Sequence, residues 1–117
     1  MSTNSQIAFS PLGKTIVVAA AGTAPAGIQA PVLTKFEPQN EGQYRFVNAG
    51  TNTVFIGTGP TAALAQAAAV APVAGTPSGA IVLVPGAVEI LRVNKDTYFS
   101  GLAAAANTVY ITPGEGI

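Results

Sequence analysis

Glu37 and Glu41 are the closest pair of carboxylates in the chain. A carboxylate pair is what general acid/base hydrolysis of a glycosidic bond requires. Here Pro38 and Gly42 put the pair in a loop, and the sugar-stacking platform is missing, since Trp is absent and aromatic residues make up 7% of the chain. Glu37 and Glu41 therefore read as solvated loop charges. The other carboxylates, Glu89, Asp96 and Glu115, are scattered. The chain has no His and no Cys. That removes His-based triads, imidazole general bases and thiolate or imidazole zinc sites. Gly57-Thr58-Gly59-Pro60-Thr61-Ala62 loosely resembles a phosphate-binding loop. It lacks the third Gly and the Lys of such loops, and Pro60 withdraws an amide donor. It reads as a turn that ends a strand. The expectation is a protein that is not an enzyme, with no catalytic residue, no metal ligands and no cofactor.

The charged residues point the same way. Lys14, Lys35, Arg45, Arg92 and Lys95 are balanced by the five acids, giving a formal net charge of zero. Nucleic-acid binding rests on phosphate neutralisation by a basic surface, so no nucleic-acid partner is expected. Charged residues are 9% of the chain, against ~25% in ordinary domains. Mean hydropathy is +0.45, yet no unbroken apolar run reaches the ~18 residues of a membrane span. No signal peptide is evident, and no membrane association is expected. An outside surface this poor in charge is suited to being covered by neighbouring subunits, because burying charge costs far more than burying Ala, Val or Thr.

The elements that would carry such a surface are strands. The 117 residues, with 13 Gly and 9 Pro, form one expected domain over 1–117, near the usual ~100–150 residues. Turn signals recur at short intervals between β-branched runs, as in a β-sandwich or jelly roll. Residues 6–10 and 14–20 flank Pro11-Leu12-Gly13 and predict a hairpin. In 43–48, Tyr44, Phe46 and Asn48 fall on one face and Arg45 and Val47 on the other. Residues 53–57 follow after a short turn. The continuous apolar run 80–84 predicts a strand buried on both faces. In 87–93, Val88, Ile90 and Arg92 alternate with Glu89, Leu91 and Val93. Residues 97–102 and 107–112 predict a closing hairpin, with Pro113 and Gly114 ending the ladder. Residues 61–74 break the pattern. They are Ala-rich, with Thr61 placed to cap and Pro72 to stop, and predict an insertion that is either a short helix or a collapsed loop. It lies over the domain's own core or makes contact with a neighbour. The fold class is all-β, an antiparallel jelly-roll-like sandwich with one short Ala-rich helix or loop insertion.

Asn-Thr-Val-aromatic-Ile occurs at 52–56 and again at 107–111. Each copy reads as the second strand of a hairpin, and two such hairpins suit facing positions in a two-layer sandwich. Candidate contacts to partners follow from residue type. Tyr44, Tyr98 and Tyr110 are candidate anchors, because Tyr is enriched at interface cores. Their other role is cross-strand pairing within a sheet. Arg45 and Arg92 suit bidentate contacts to partner carboxylates or ion pairs at a strand edge. Leu64, Gln66 and Val70 are the corresponding candidates on the Ala-rich insertion.

Several stretches together carry a family resemblance. They are Thr15-Ile16-Val17-Val18-Ala19-Ala20, then Gln43-Tyr44-Arg45-Phe46-Val47-Asn48, then Asn52-Thr53-Val54-Phe55-Ile56-Gly57. After the Ala-rich stretch come Ile81-Val82-Leu83-Val84-Pro85-Gly86-Ala87-Val88-Glu89-Ile90-Leu91 and Thr108-Val109-Tyr110-Ile111-Thr112-Pro113-Gly114-Glu115-Gly116. Nearly the whole chain resembles the small virion proteins of tailed bacteriophages that decorate or cement the capsid. The resemblance implies a jelly-roll-like sandwich bound to the major capsid protein as a homo-oligomer, a dimer or trimer. Its expected location is the capsid exterior, after assembly in the host cytoplasm. A head–tail connector or a tail/fibre component is a second structural reading. A glycan- or receptor-binding β-sandwich is a reading of another class, disfavoured by the shortage of aromatics.

Overall fold

The computed structural model describes residues 10–11, 13–29, 41–94 and 97–115. Among them are nine strands and one helix: β1 (Ser10–Pro11), β2 (Ile16–Ala20), β3 (Ile28–Gln29), β4 (Glu41–Asn48), β5 (Val54–Gly59), α1 (Ala62–Ala68), β6 (Ile81–Leu83), β7 (Val88–Asn94), β8 (Tyr98–Ala103) and β9 (Asn107–Glu115). The first sheet runs β1-β9-β4-β7, with β2 also on β9, and the second runs β3-β8-β5-β6. All strand pairings are antiparallel. The fold is an all-β sandwich.

Four of the pairings are nested: β2 with β9, β3 with β8, β4 with β7, and β5 with β6. Nested pairs describe one long hairpin rolled up into two sheets, which is the strand order of an eight-stranded jelly roll. The Ala-rich insertion occupies the tip of that hairpin, between β5 and β6.

The rolled topology corrects three expected hairpins. β4 and β5 do not pair with each other; they lie in opposite sheets, as do β8 and β9. Each of these strands carries an apolar stripe. Crossing between layers makes consecutive stripes face one another across the core, whereas a hairpin would set them side by side. The five residues 49–53 easily span the ~10 Å between packed sheets. At the start of the chain, β1 and β2 both pair with β9, Ser10 opposite Glu115 and Ile16 opposite Ile111. They are two pieces of one edge, not partners; Gln6 to Phe9 lie outside the described residues.

Pro113 sits inside the last strand. The expected end of the ladder at Pro113-Gly114 is not seen: β9 continues through both, Pro113 opposite Tyr44 and Gly114 opposite Gln43. The amide of Ala49 donates to Thr108 O over 3.0 Å. In an antiparallel ladder this directs the backbone groups of Thr108, Tyr110, Thr112 and Gly114 toward β4, and those of Val109, Ile111 and Pro113 toward the other neighbour. The amide that Pro113 lacks is therefore directed away from β4 and costs the β4–β9 ladder no bond.

The core lies between the sheets. Val18, Tyr44, Phe46, Val54, Ile56, Leu83, Phe99, Val109 and Ile111 are all buried. At its centre Phe99 of the second sheet meets Tyr44 and Phe46 of the first edge-on, with ring centroids 5.3 and 5.6 Å apart. The alternation read in 43–48 holds: Tyr44, Phe46 and Asn48 are buried and Arg45 is exposed. In β7, Leu91 and Val93 pack on the core while Arg92 is exposed. The run 80–84 is not buried on both faces. β6 is an edge strand, so Leu83 is buried while Val82 and Val84 are about half exposed. The two Asn-Thr-Val-aromatic-Ile copies lead into β5 and β9, in opposite sheets. Val54, Ile56, Val109 and Ile111 point inward, and Tyr110 is exposed.

One end of the sandwich is tied by amides. Asn48 donates to Leu83 O and Asn52 O, each over 2.9 Å, and to Val84 O over 3.2 Å. Its side-chain oxygen accepts from the Gly50 amide and from the side chain of Asn107. Asn107 in turn accepts from the Asn52 amide. The connections 49–53 and 84–87 are thereby fastened to one buried pair, whose second member, Asn107, is the first residue of β9.

Candidate interaction surfaces

The outer faces of the two sheets are treated differently. On the second sheet, Gly57 pairs with Ser100 and Gly59 with Tyr98, which leaves a strip without bulk along β5. Helix α1 lies in that strip. A Cβ at Gly57 would stand 2.6 Å from the Ala68 carbonyl carbon and closer still to Ala65 O and the Ala69 amide. The helix is short and strong in Ala. Thr61 caps it, its hydroxyl accepting from the Leu64 amide over 3.2 Å. It ends at Ala68, ahead of Pro72. Ala65 and Ala69 are buried against the sheet. Gln66 Nε2 donates to Ala24 O over 2.8 Å, tying the helix to the segment before β3. The insertion lies over the domain's own sheet through Ala65 and Ala69, while Leu64, Val70 and Val73 stay exposed.

The outer face of the first sheet has no such cover among the described residues. Antiparallel sheets with one wet face ordinarily place polar residues there. Here the register aligns Val17, Tyr110, Val47 and Val88 as direct neighbours across four strands. Val17 is 49%, Tyr110 41% and Val88 51% exposed. On one side of this row run Thr112, Arg45 and Ile90, with Thr15 bonded to Thr112 through their hydroxyls at 2.7 Å. On the other side run the small residues Ala19, Thr108 and Ala49. Each flank holds a shallow depression. One of about 390 Å³ is lined by Ala19, Ala49, Thr51 and Thr108 among others; one of about 370 Å³ is lined by Pro11, Thr15, Arg45 and Thr112.

The residues singled out in the sequence fall in different places. Tyr44 is corrected: it is 1% exposed, packed in the core on Phe99, and has no surface to offer a partner. Its position, with Phe46 and Asn48 on the inward parity of β4, already carried that signal. Arg45, Arg92 and Tyr110 share the outer face of the first sheet, Arg92 near its end opposite Gln43. Tyr98 is half-buried on the second sheet. Leu64 and Val70 are exposed on or just after α1, with Gln66 engaged by Ala24. Residue type passed over Val17, Val47 and Val88, since their alignment exists only once strand register is known.

Among the described residues no three carboxylates come together as a metal site would require. No helix there is long and apolar enough to cross a membrane. The strand order defines a jelly-roll sandwich that carries exposed apolar side chains on its outer faces among the described residues. No family model, curated protein or solved structure matches the chain.

Proposed function

We propose that this chain is a structural virion protein, a decoration or cement protein of a tailed-phage head that bridges subunits of the major capsid protein. The observation that carries this reading is the placement of exposed large apolar side chains on both outer faces of one small sandwich. Val17, Tyr110 and Val88 lie on the first sheet. Leu64, Val70, Val73 and Val82 lie on the side of the second. A protein that bridges needs two separate surfaces, and low charge keeps the cost of burying them small. The jelly roll is an architecture used by viral capsid proteins, although lectins and cupins use it too, so the surface and not the fold bears the weight.

The test is protein composition of purified particles. The expected result is this chain in stoichiometric, many-copy amounts on the head, accessible to antibody from outside. Its absence from particles, or a few copies confined to the portal or tail, would overturn the decoration role.

A further inference from the structure

We propose that the open edge of β7 receives an extended segment of a partner protein as an added antiparallel strand, and that this segment carries a Lys or Arg opposite Glu89. The proposal rests on the functional reading only for the identity of the partner. The edges of the two sheets are not alike. β3 has two residues and β6 three, and the carbonyls of Leu83 and Val84 at the end of β6 are taken by Asn48. The edge formed by β1 and β2 carries Pro11. Short strands, prolines and occupied carbonyls all discourage an extra strand. β7 runs for seven residues without Pro or Gly, and β4 is its one neighbour in the sheet among the described residues.

The direction of its backbone groups follows from one bond. The Asn48 amide donates to Ala87 O over 3.0 Å. Ala87, Glu89 and Leu91 therefore face β4, while Val88 and Ile90 turn their amides and carbonyls outward. Among the described residues these outward groups have no partner. Further along, Arg92 and the Asn94 carbonyl are already engaged. A strand bonded to Val88 and Ile90 sets one residue opposite Glu89 in a non-hydrogen-bonded pair, with Cα atoms ~4.5 Å apart and side chains at their closest. Glu89 is exposed, yet it shares the parity of Leu91 and Val93, which pack on the core. It makes no ion pair among the described residues. A neutral or acidic strand would cover that carboxylate without pairing it, whereas a cation opposite satisfies it. The same carboxylate disfavours a second copy of this chain. Antiparallel pairing of β7 with itself through Val88 and Ile90 sets Glu89 against Ala87, Glu89, Leu91 or Val93, never against a cation. The backbone bonds on offer are few, so an isolated segment is expected to bind with a dissociation constant of order millimolar.

The probe is the peptide Thr-Val-Thr-Val-Lys-Val-Thr-Val-Thr, titrated to about 5 mM against the full isotope-labelled chain, a range that covers millimolar binding. The amide resonances of Val88, Glu89 and Ile90 are expected to shift, and exchange of the Val88 and Ile90 amides with solvent to slow. The same peptide with Glu in place of Lys is expected to bind about fivefold more weakly, the scale of a cross-strand charge pair turned from attraction to repulsion. Glu89→Lys is expected to reverse that order with an unchanged circular dichroism spectrum. Ile90→Pro removes an outward donor and no bond to β4, and is expected to abolish the shifts. Glu89→Lys leaves the backbone alone, so its reversal reads out the edge even where Ile90→Pro does not fold. No response at Val88 and Ile90, equal binding of the two peptides, or a second copy of the chain bound at this edge overturns the proposal. Full occupancy of particles by Ile90→Pro overturns the added strand and spares the functional reading; peptide binding at β7 by a chain that is absent from particles does the reverse.

Discussion

The side-chain amide of Asn107 donates to the side-chain oxygen of Asn48 over 2.7 Å, in the buried end of the sandwich. That oxygen also takes the Gly50 amide, while the Asn48 amide nitrogen serves the carbonyls of Asn52 on the same connection, of Leu83 at the end of β6 and of Val84 just after it. Asn48→Ala strands all of these groups at once. The expected loss is about 2–4 kcal/mol, since buried polar groups left without partners carry their full desolvation cost. Asn48→Asp is expected to be comparably damaging, because a carboxylate cannot donate to Leu83 O or Asn52 O. Urea denaturation of the two variants checks both, and a loss below the error of the method would show that the pair is not the fastening.

Helix α1 sits too close to β5 for any side chain to intervene. Gly57→Ala is expected to cost about 1–3 kcal/mol, the range for overpacking a site that cannot relax freely. What the new methyl meets is helix backbone at Ala65, Ala68 and Ala69, not the end of a flexible side chain. Gly22→Ala is the control, since nothing lies within 4 Å of a Cβ there. Thermal melts of the pair should separate clearly; equal melting temperatures would mean the helix is free to move outward.

Phe99 is the one aromatic of the second sheet that touches two rings of the first. Phe99→Ala opens a cavity at the centre of the core, with an expected cost of about 3–5 kcal/mol. Tyr44→Phe, which keeps the ring against Phe99, is expected to cost far less. The comparison, read by chemical denaturation, tests whether this ring cluster joins the layers.

Leu64→Lys and Val82→Lys place charge on the α1 side of the sandwich, one of the two surfaces proposed to meet the capsid protein. Neither side chain is buried in the fold, so melting temperatures are expected to change by no more than a few degrees, as for surface substitutions generally. Occupancy on purified particles is expected to fall several-fold. Full occupancy with both substitutions would move the partner contact elsewhere.

Which parts of this were legible beforehand follows from what each signal measures. Alternation at period two reports which residues of a strand share a face, and it correctly grouped Tyr44, Phe46 and Asn48. Alanine density and a Thr cap mark where α1 lies but leave helix and collapsed loop open, and the helix ends at Ala68, well before Pro72. Neither signal says which strand a neighbour pairs with. A short turn with apolar stripes on both sides fits a hairpin and a crossover equally well, so local pattern alone suggests hairpins for β4–β5 and β8–β9, which lie in opposite layers. An apolar run such as 80–84 likewise looks the same at an edge as in the middle of a sheet. The row Val17–Tyr110–Val47–Val88 is assembled from four segments far apart in sequence, and no local pattern contains it.

The turn closed by Val73 and Thr76, whose backbones exchange bonds of 3.1 and 2.8 Å, carries Gly75 at φ +82° with open space around it. It belongs to the tip of the rolled hairpin, beyond the last residues that either layer needs. Foreign peptide spliced in at Ala74-Gly75 would lengthen that loop at small entropic cost and leave every ladder undisturbed. A peptide held there stands beside Val70 and Val73 and would shield that side of the sandwich from a partner, while leaving the row of valines and Tyr110 on the other sheet untouched.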